Sequence, residues 1–246
     1  MSVNPNDSGS AKLKRRQFVG LAAGALAGVS VVQLAAQAAA DHQLTKRYGM
    51  LVDVNKCATG CRACVDACND EHGLTRFDSP LTDAQWIRKV GLRHRRTGRE
   101  VEMPVMCQHC EDPPCVDVCP TGASFKRDDG IVLVDKHTCI GCRYCVMACP
   151  YRARSFVHEN LTDQVPEAPR GKGTVEGCTF CVHRVDANDG REPACVEACT
   201  NEGHRALVFG ELTDDTSVLA QRLRIEPSRE LRSGLGLNTG VRYQGI

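Results

Sequence analysis

Aromatic side chains are scarce, making up 4% of the 246 residues with a single tryptophan. A chain of this length ordinarily folds as one or two domains round an apolar core. Large rings cannot build that core here, so something other than apolar packing must help hold the fold. An excess of one charge is also missing, since the formal net charge is +1. Without residues 1–40 the chain holds 27 basic and 29 acidic residues, a balance that argues against nucleic acid as a partner. Beyond residue 40 no stretch is long and apolar enough to cross a bilayer. There is no catalytic dyad, phosphate loop or set of converging acids, so the expectation is a chain without a substrate site or small-molecule substrate of its own.

What the sequence does hold is cysteine. Sixteen fall in four groups of four: Cys57, Cys61, Cys64, Cys68; Cys107, Cys110, Cys115, Cys119; Cys139, Cys142, Cys145, Cys149; and Cys178, Cys181, Cys195, Cys199. None is left over. The N-terminus gives their setting, because Arg15 and Arg16 precede an apolar stretch led by Phe18, and Ala38-Ala39-Ala40 forms a cleavage-like site before Asp41. Residues 1–40 read as a twin-arginine signal peptide, which sends the chain to the periplasm. The other reading is an uncleaved anchor, made weak by Gly20, Gly24, Gly28, Ser30, Gln33 and Gln37.

An exported, cysteine-rich chain invites a disulfide reading, but the spacing opposes it. Disulfide frameworks staple distant loops, whereas this chain repeats short gaps, and cysteines two residues apart bridge one another only with strain. The third group, CIGCRYCVMACP, is the C-x2-C-x2-C-x3-C-P run whose first three thiolates wrap one cubane while the fourth reaches a second. Zinc knuckles have no use for that fourth cysteine and the following Pro150. The chemistry implied is one-electron transfer through four [4Fe-4S] clusters.

Two internal repeats organise the groups. LVDVNKCATGCRACVDAC and LVDKHTCIGCRYCVMAC share an Asp, Asp53 or Asp135, four positions before the first cysteine, and then G-C-R-x-C-V-x-A-C. They differ by one residue between Cys57 and Cys61, ahead of Gly60, which matches Gly141. A one-residue bulge can be absorbed locally, so this site is expected to work with its downstream geometry preserved. The second and fourth groups form the other repeat, with extra residues between Cys181 and Cys195. Two nested ferredoxin-like units follow, an inner one over 105–156 and an outer one joining 49–72 with 174–212. The borrowed-ligand rule then predicts four sites: Cys57/Cys61/Cys64/Cys199, Cys178/Cys181/Cys195/Cys68, Cys107/Cys110/Cys115/Cys149 and Cys139/Cys142/Cys145/Cys119. Pro120 and Pro150 follow the inner fourth cysteines, Asn69 and Thr200 the outer ones, a difference to which the sequence alone attaches no consequence.

The expected fold is α+β and loop-rich, with short strands and helices round the clusters. YGMLVDV and GIVLVD read as strands, and VDACND, VMACPY and VEACTN as short helices carrying Cys68, Cys149 and Cys199. Residues 83–104 form an inserted hairpin turning at Thr97-Gly98, whose basic residues from Arg88 to Arg99 either dock an acidic partner or are simply solvated. Residues 41–212 make the cluster domain. Residues 213–246 hold a helix starting at Thr213 and a Gly-rich tail without core signal, either disordered or laid on a partner. His109, inside a complete cysteine group, tunes potential or merely packs.

Over residues 49–212 the chain resembles the iron-sulfur subunit family of dimethyl sulfoxide reductase and polysulfide reductase type. CQHCEDPPCVDVCPTGASFKRDDGIVLVD, GTVEGCTFCVHRVD with EPACVEAC, LVFGEL and LGLNTGVRY resemble most the periplasmic iron-sulfur subunits of DsrMKJOP-type transmembrane complexes of sulfur metabolism. The family's ligands carry over onto the sixteen cysteines as assigned, the stretched Cys57–Cys61 loop being the one departure. The resemblance implies partners: an NrfD-like integral membrane subunit and a periplasmic cytochrome c or other redox subunit. An electron-transfer subunit of a molybdopterin oxidoreductase, of polysulfide or tetrathionate reductase type, is the alternative, and a free multi-cluster ferredoxin a third.

Overall fold

The computed structural model describes residues 46–246 except Thr75, Pro80, Asp163, Glu167 and Ala168. The signal-peptide reading of residues 1–40 lies outside the described residues. In chain order, β1 (Tyr48–Asp53) leads to helix α1 (Ala63–Glu71), and β2 (Arg88–Arg93) and β3 (Glu100–Val105) follow. The middle holds α2 (Pro114–Asp117), β4 (Ser124–Lys126), β5 (Val132–Val134) and α3 (Tyr144–Ala148). After β6 (Ser155–Phe156) and β7 (Val175–Glu176) come α4 (Val182–Ala187), α5 (Ala194–Asn201), β8 (Leu207–Glu211), α6 (Val218–Ile225) and β9 (Val241–Gln244). This is the mixed architecture of short elements expected, with β2 and β3 paired antiparallel as the inserted hairpin.

The main sheet has the order β8-β1-β9, with β1 antiparallel to β8 and parallel to β9. β1 is the central strand, and its consecutive Met50, Leu51 and Val52, which point to opposite faces, are all buried, so both faces are covered and YGMLVD reads as an unbroken apolar run. Cysteine supplies what the missing rings do not: ten of the sixteen thiols are buried, five are half-buried and only Cys142 is exposed. In each nested unit the two cysteine-bearing helices pack together, α1 on α5 in the outer one and α2 on α3 in the inner one.

The prolines after Cys119 and Cys149 now have a consequence. A residue before proline is driven out of the helical region, and Cys149 is extended (φ −73°, ψ 111°) where α3 ends. With Asn69 and Thr200 in the same places, the outer helices run on to Glu71 and Asn201. That extra turn places Glu71 against α4, where Arg184 donates to both its carboxylate oxygens and also to Glu197.

Two expectations about residues 213–246 are corrected. The helix begins at Val218, capped by Ser217, whose hydroxyl accepts the Ala220 N–H at 3.1 Å. Thr213 lies before it because Asp214 closes its own turn on Thr216. The Gly-rich tail is neither without core signal nor disordered. Val241 and Tyr243 are fully buried in β9, alternating with partly exposed Arg242 and Gln244. A period-two pattern only four residues long was hidden by the glycines round it.

Candidate iron-sulfur sites

The first and third cysteine groups start from a turn that their repeat shares. Asp53 Oδ1 accepts the Asn55 N–H at 3.1 Å and Asp135 Oδ1 accepts the His137 N–H at 2.8 Å, so both loops leave their strands through the same Asx turn. In the outer groups the third and fourth cysteines, Cys64 and Cys68 on α1 and Cys195 and Cys199 on α5, are one helical turn apart, whereas Cys119 and Cys149 lie just past the ends of α2 and α3, which corrects the expectation that Cys149 rides on a helix.

Cys57, Cys61, Cys64 and Cys199 line a single pocket, together with Lys89, His204 and Ala206. The thiols that act most strongly on Cys68 are Cys178, Cys195 and Cys181. Cys110 has Cys107, Cys115 and Cys149 as its interacting thiols, and Cys145 has Cys115, Cys139 and Cys119. Cys199, Cys68, Cys149 and Cys119, the cysteines that the borrowed-ligand rule lends across units, each have thiols of the predicted partner set as neighbours, while Cys142 lies at the surface. The structure also links the sets. Cys64 acts on Cys195, Cys107 on Cys178 and Cys115 on Cys145.

The donors round the sulfurs suit thiolates carrying charge. None of the sixteen cysteines is in a disulfide. Cys119 accepts the Ser124 N–H at 3.3 Å, Cys149 that of Ala153 at 3.4 Å, Cys199 that of Ala206 at 3.2 Å and Cys139 that of Val175 at 3.4 Å. Lys89 Nζ donates to Cys57 at 2.9 Å and Arg154 Nη2 to Cys115 at 3.3 Å. Without metal, burial pushes the thiols up, Cys64 and Cys107 to about 11 and Cys110 to about 12. Loading iron therefore has to release those protons. Among the described residues no three His, Cys, Asp or Glu side chains are grouped closely enough for one ion, as the corners of a cubane are not. The residues present fit [4Fe-4S] clusters.

The stretched loop is absorbed, though not wholly upstream of Gly60. Gly60 and Gly141 share a left-handed backbone, φ 77° and 72°, but two residues on, the repeats differ, Arg62 at φ −120° against Arg143 at φ 64°. The expectation of fully preserved downstream geometry is corrected at that residue. The hairpin β2–β3 then secures the loop: Glu102 accepts the Gly60 N–H at 2.8 Å, and Lys89 bonds both Cys57 and, at 3.5 Å, the Ala58 carbonyl. Lys89 is thus part of the site, while Arg93, Arg95 and Arg96 are exposed.

His109 is fully buried and stacked on Phe180, ring centroids 3.7 Å apart. Burial lowers its pKa to about 3, and its Nδ1 accepts the Val132 N–H at 3.0 Å, so the neutral ring carries its proton on Nε2. The residues that the sequence reading missed are Lys89, Arg154 and His72. His72 Nε2 lies 3.3 Å from the Cys181 sulfur, and burial lowers its pKa to about 4. None of the three stands out by its spacing to a cysteine group, since each reaches its sulfur from another segment of the chain.

Known proteins resemble the chain over these same segments. One family described as a 4Fe-4S dicluster domain matches residues 100–211, and a second of the same description matches residues 50–123. The Hdr-like menaquinol oxidoreductase iron-sulfur subunit 1 of Archaeoglobus fulgidus is 40% identical, over 94% of this chain and 97% of its own. A tetrathionate reductase subunit of Salmonella typhimurium is 38% identical over 81% and 73%. Protein NrfC of Escherichia coli is 39% identical over 90% and 91%. With its sixteen cysteines in the nested arrangement, the chain belongs to this ferredoxin-like family of [4Fe-4S] electron-transfer subunits of respiratory oxidoreductase complexes.

Proposed function

We propose that the chain is the electron wire of a molybdopterin oxidoreductase of tetrathionate or polysulfide reductase type, working on the periplasmic side with a quinone-linked integral membrane partner. The observation that carries the relay is the linkage of the four thiol sets. It supports the order Cys57/Cys61/Cys64/Cys199, then Cys178/Cys181/Cys195/Cys68, then Cys107/Cys110/Cys115/Cys149, then Cys139/Cys142/Cys145/Cys119, since Cys64 neighbours Cys195, Cys107 neighbours Cys178 and Cys115 neighbours Cys145. The clusters, when bound, supply one-electron carriers, and all-cysteine ligation leaves no open iron for a substrate. The protein's own part is to bury the thiolates, donate hydrogen bonds to them and keep water from the middle of the line. Among the described residues no helix is long and apolar enough to cross a membrane. The tetrathionate reductase relative supports the molybdopterin reading over the sulfur-metabolism one.

A second reading keeps one observation in its favour. The relative matched nearly end to end is named a menaquinol oxidoreductase subunit, which suits a DsrO-like subunit of a DsrMKJOP-type complex passing electrons between a periplasmic cytochrome c and an NrfD-like subunit. Elemental and haem analysis of the native complex, purified in detergent through a tag on this chain, separates the two. Molybdenum in fixed ratio to the chain supports the first reading, whereas covalent haem without molybdenum overturns it for the second. The ligand sets have their own test. Cys142→Ser is expected to lose or convert one cluster, and an unchanged iron content and spectrum would contradict the assignment.

A further inference from the structure

Two arginines are buried in the cluster domain, and their surroundings differ. Arg170 is paired with Glu176 through two hydrogen bonds of 2.9 and 2.8 Å, both side chains being nearly inaccessible. Arg154 is 7% exposed, and among the described residues no carboxylate pairs with it. Its Nη2 instead donates to the Cys115 sulfur at 3.3 Å and to the Ser124 hydroxyl at 3.2 Å. A guanidinium buried without an anion is strongly disfavoured, so its compensating charge must come from sulfur. Ser124, which accepts from Arg154, donates its own N–H to the Cys119 sulfur at 3.3 Å, so the guanidinium sits against Cys115 of one inner thiol set and, through Ser124, beside Cys119 of the other. Its seat is also shaped for it. A side chain at Gly177 would meet the Ala153 carbonyl at 2.7 Å and Arg154 Cδ at 3.5 Å, so the residue before Cys178 has to be bare.

We infer that Arg154 is a fixed positive charge shared by the two inner clusters, and that it makes both of them easier to reduce. This rests on the four-cluster relay proposed above. A [4Fe-4S](Cys)4 unit is anionic and gains one more negative charge on reduction, while the neighbouring cluster that gives up the electron loses one, with no bond or proton exchanged. A cation held between two such units favours the extra charge on either, because potential follows local charge and hydrogen bonding to sulfur. Arg154 is therefore a positioning and tuning residue, placed where the relay would otherwise set two like charges side by side.

The test is a redox titration of the purified complex, followed by electron paramagnetic resonance, with iron content measured on each sample. Arg154→Met is expected to keep its iron, to lower the reduction equilibrium of two clusters at least tenfold, about 59 mV for one electron, and to leave the Cys57/Cys61/Cys64/Cys199 cluster unmoved. Arg154→Lys, which keeps the charge, is expected to recover most of the shift. Unchanged potentials at full iron content overturn the proposal, as does an equal fall in all four clusters. If Arg154→Met does not accumulate, Arg154→Gln against Arg154→Lys decides, since equal potentials in those two show that charge plays no part. A wild-type complex short of iron for four clusters would instead sink the relay reading itself.

Discussion

The ammonium of Lys89, on the inserted hairpin, lies 2.9 Å from the sulfur of Cys57, the first cysteine of the stretched loop. With only 10% of its side chain accessible, it makes a charge-assisted hydrogen bond of the stronger kind, about 1.5–3 kcal/mol. Replacing Lys89 by Met is expected to lower the midpoint of that one cluster by about 60 mV or more and to speed its loss in air. Potentiometry on the purified complex and iron release over time check both. A shift in some other cluster would place Lys89 elsewhere in the relay.

Gly60 and Gly141 occupy equivalent places yet should respond differently to alanine. A side chain at Gly141 would lie 2.1 Å from the Gly173 carbonyl, whereas nothing stands within 4 Å of one at Gly60. Gly60→Ala then carries only the left-handed backbone strain, about 1–2 kcal/mol, and is expected to retain every cluster. Gly141→Ala must displace the backbone of residue 173 and is expected to lose the cluster of Cys139, Cys142 and Cys145. Visible absorption and iron content of the two variants make the comparison.

Tyr243 ties β9 to the core by both its ring and its hydroxyl. The ring is fully buried, and the hydroxyl donates to the Pro104 carbonyl at 3.2 Å and accepts from Gln108 at 3.1 Å. Tyr243→Ala is expected to cost about 3–5 kcal/mol and Tyr243→Phe about 1 kcal/mol, read from urea midpoints. Removing residues 233–246 should then abolish folding and not merely partner assembly. A stable, cluster-loaded truncation would show that β1 does without its parallel neighbour.

The Glu71 carboxylate is held down to about 2, mainly by the Arg184 hydrogen bonds and then by His183. Its folded value is below the unfolded one, near 4.5, so its contribution is complete above that value and is lost as the pH falls towards 2. Glu71→Gln is accordingly expected to be destabilising at pH 7, with the gap to wild type closing below about pH 4.5. Urea titrations followed by circular dichroism across that range test it. A gap independent of pH would mean that Glu71 acts through packing alone.

The cluster loops were legible in the sequence because their chemistry is local. A thiolate, a glycine able to turn left and an Asx turn all lie within a few residues of one another, and the repeat doubles the signal. What was not legible arrives from elsewhere in the chain. Lys89 reaches Cys57 across a hairpin, Arg154 reaches Cys115 from the other half of the inner unit, and His72 reaches Cys181 from the end of α1. Spacing carries no trace of such donors. The strand at Val241–Gln244 was missed for another reason: its two inward residues are too few to stand out from a glycine-rich background, and its partner is β1.

That pairing has a kinetic consequence. The inner unit closes through contacts between neighbouring segments, whereas β1 must wait for β8 and β9 from the opposite end of the described chain. Non-local closure of this kind is slow, because a long loop has to be brought together before any contact rewards it. Until residues 241–244 arrive, one edge of β1 presents unpaired N–H and C=O groups, open to aggregation or proteolysis. A chain interrupted late in synthesis would therefore carry a well-formed middle inside an unclosed shell, and its defect would be visible to the cell's quality control.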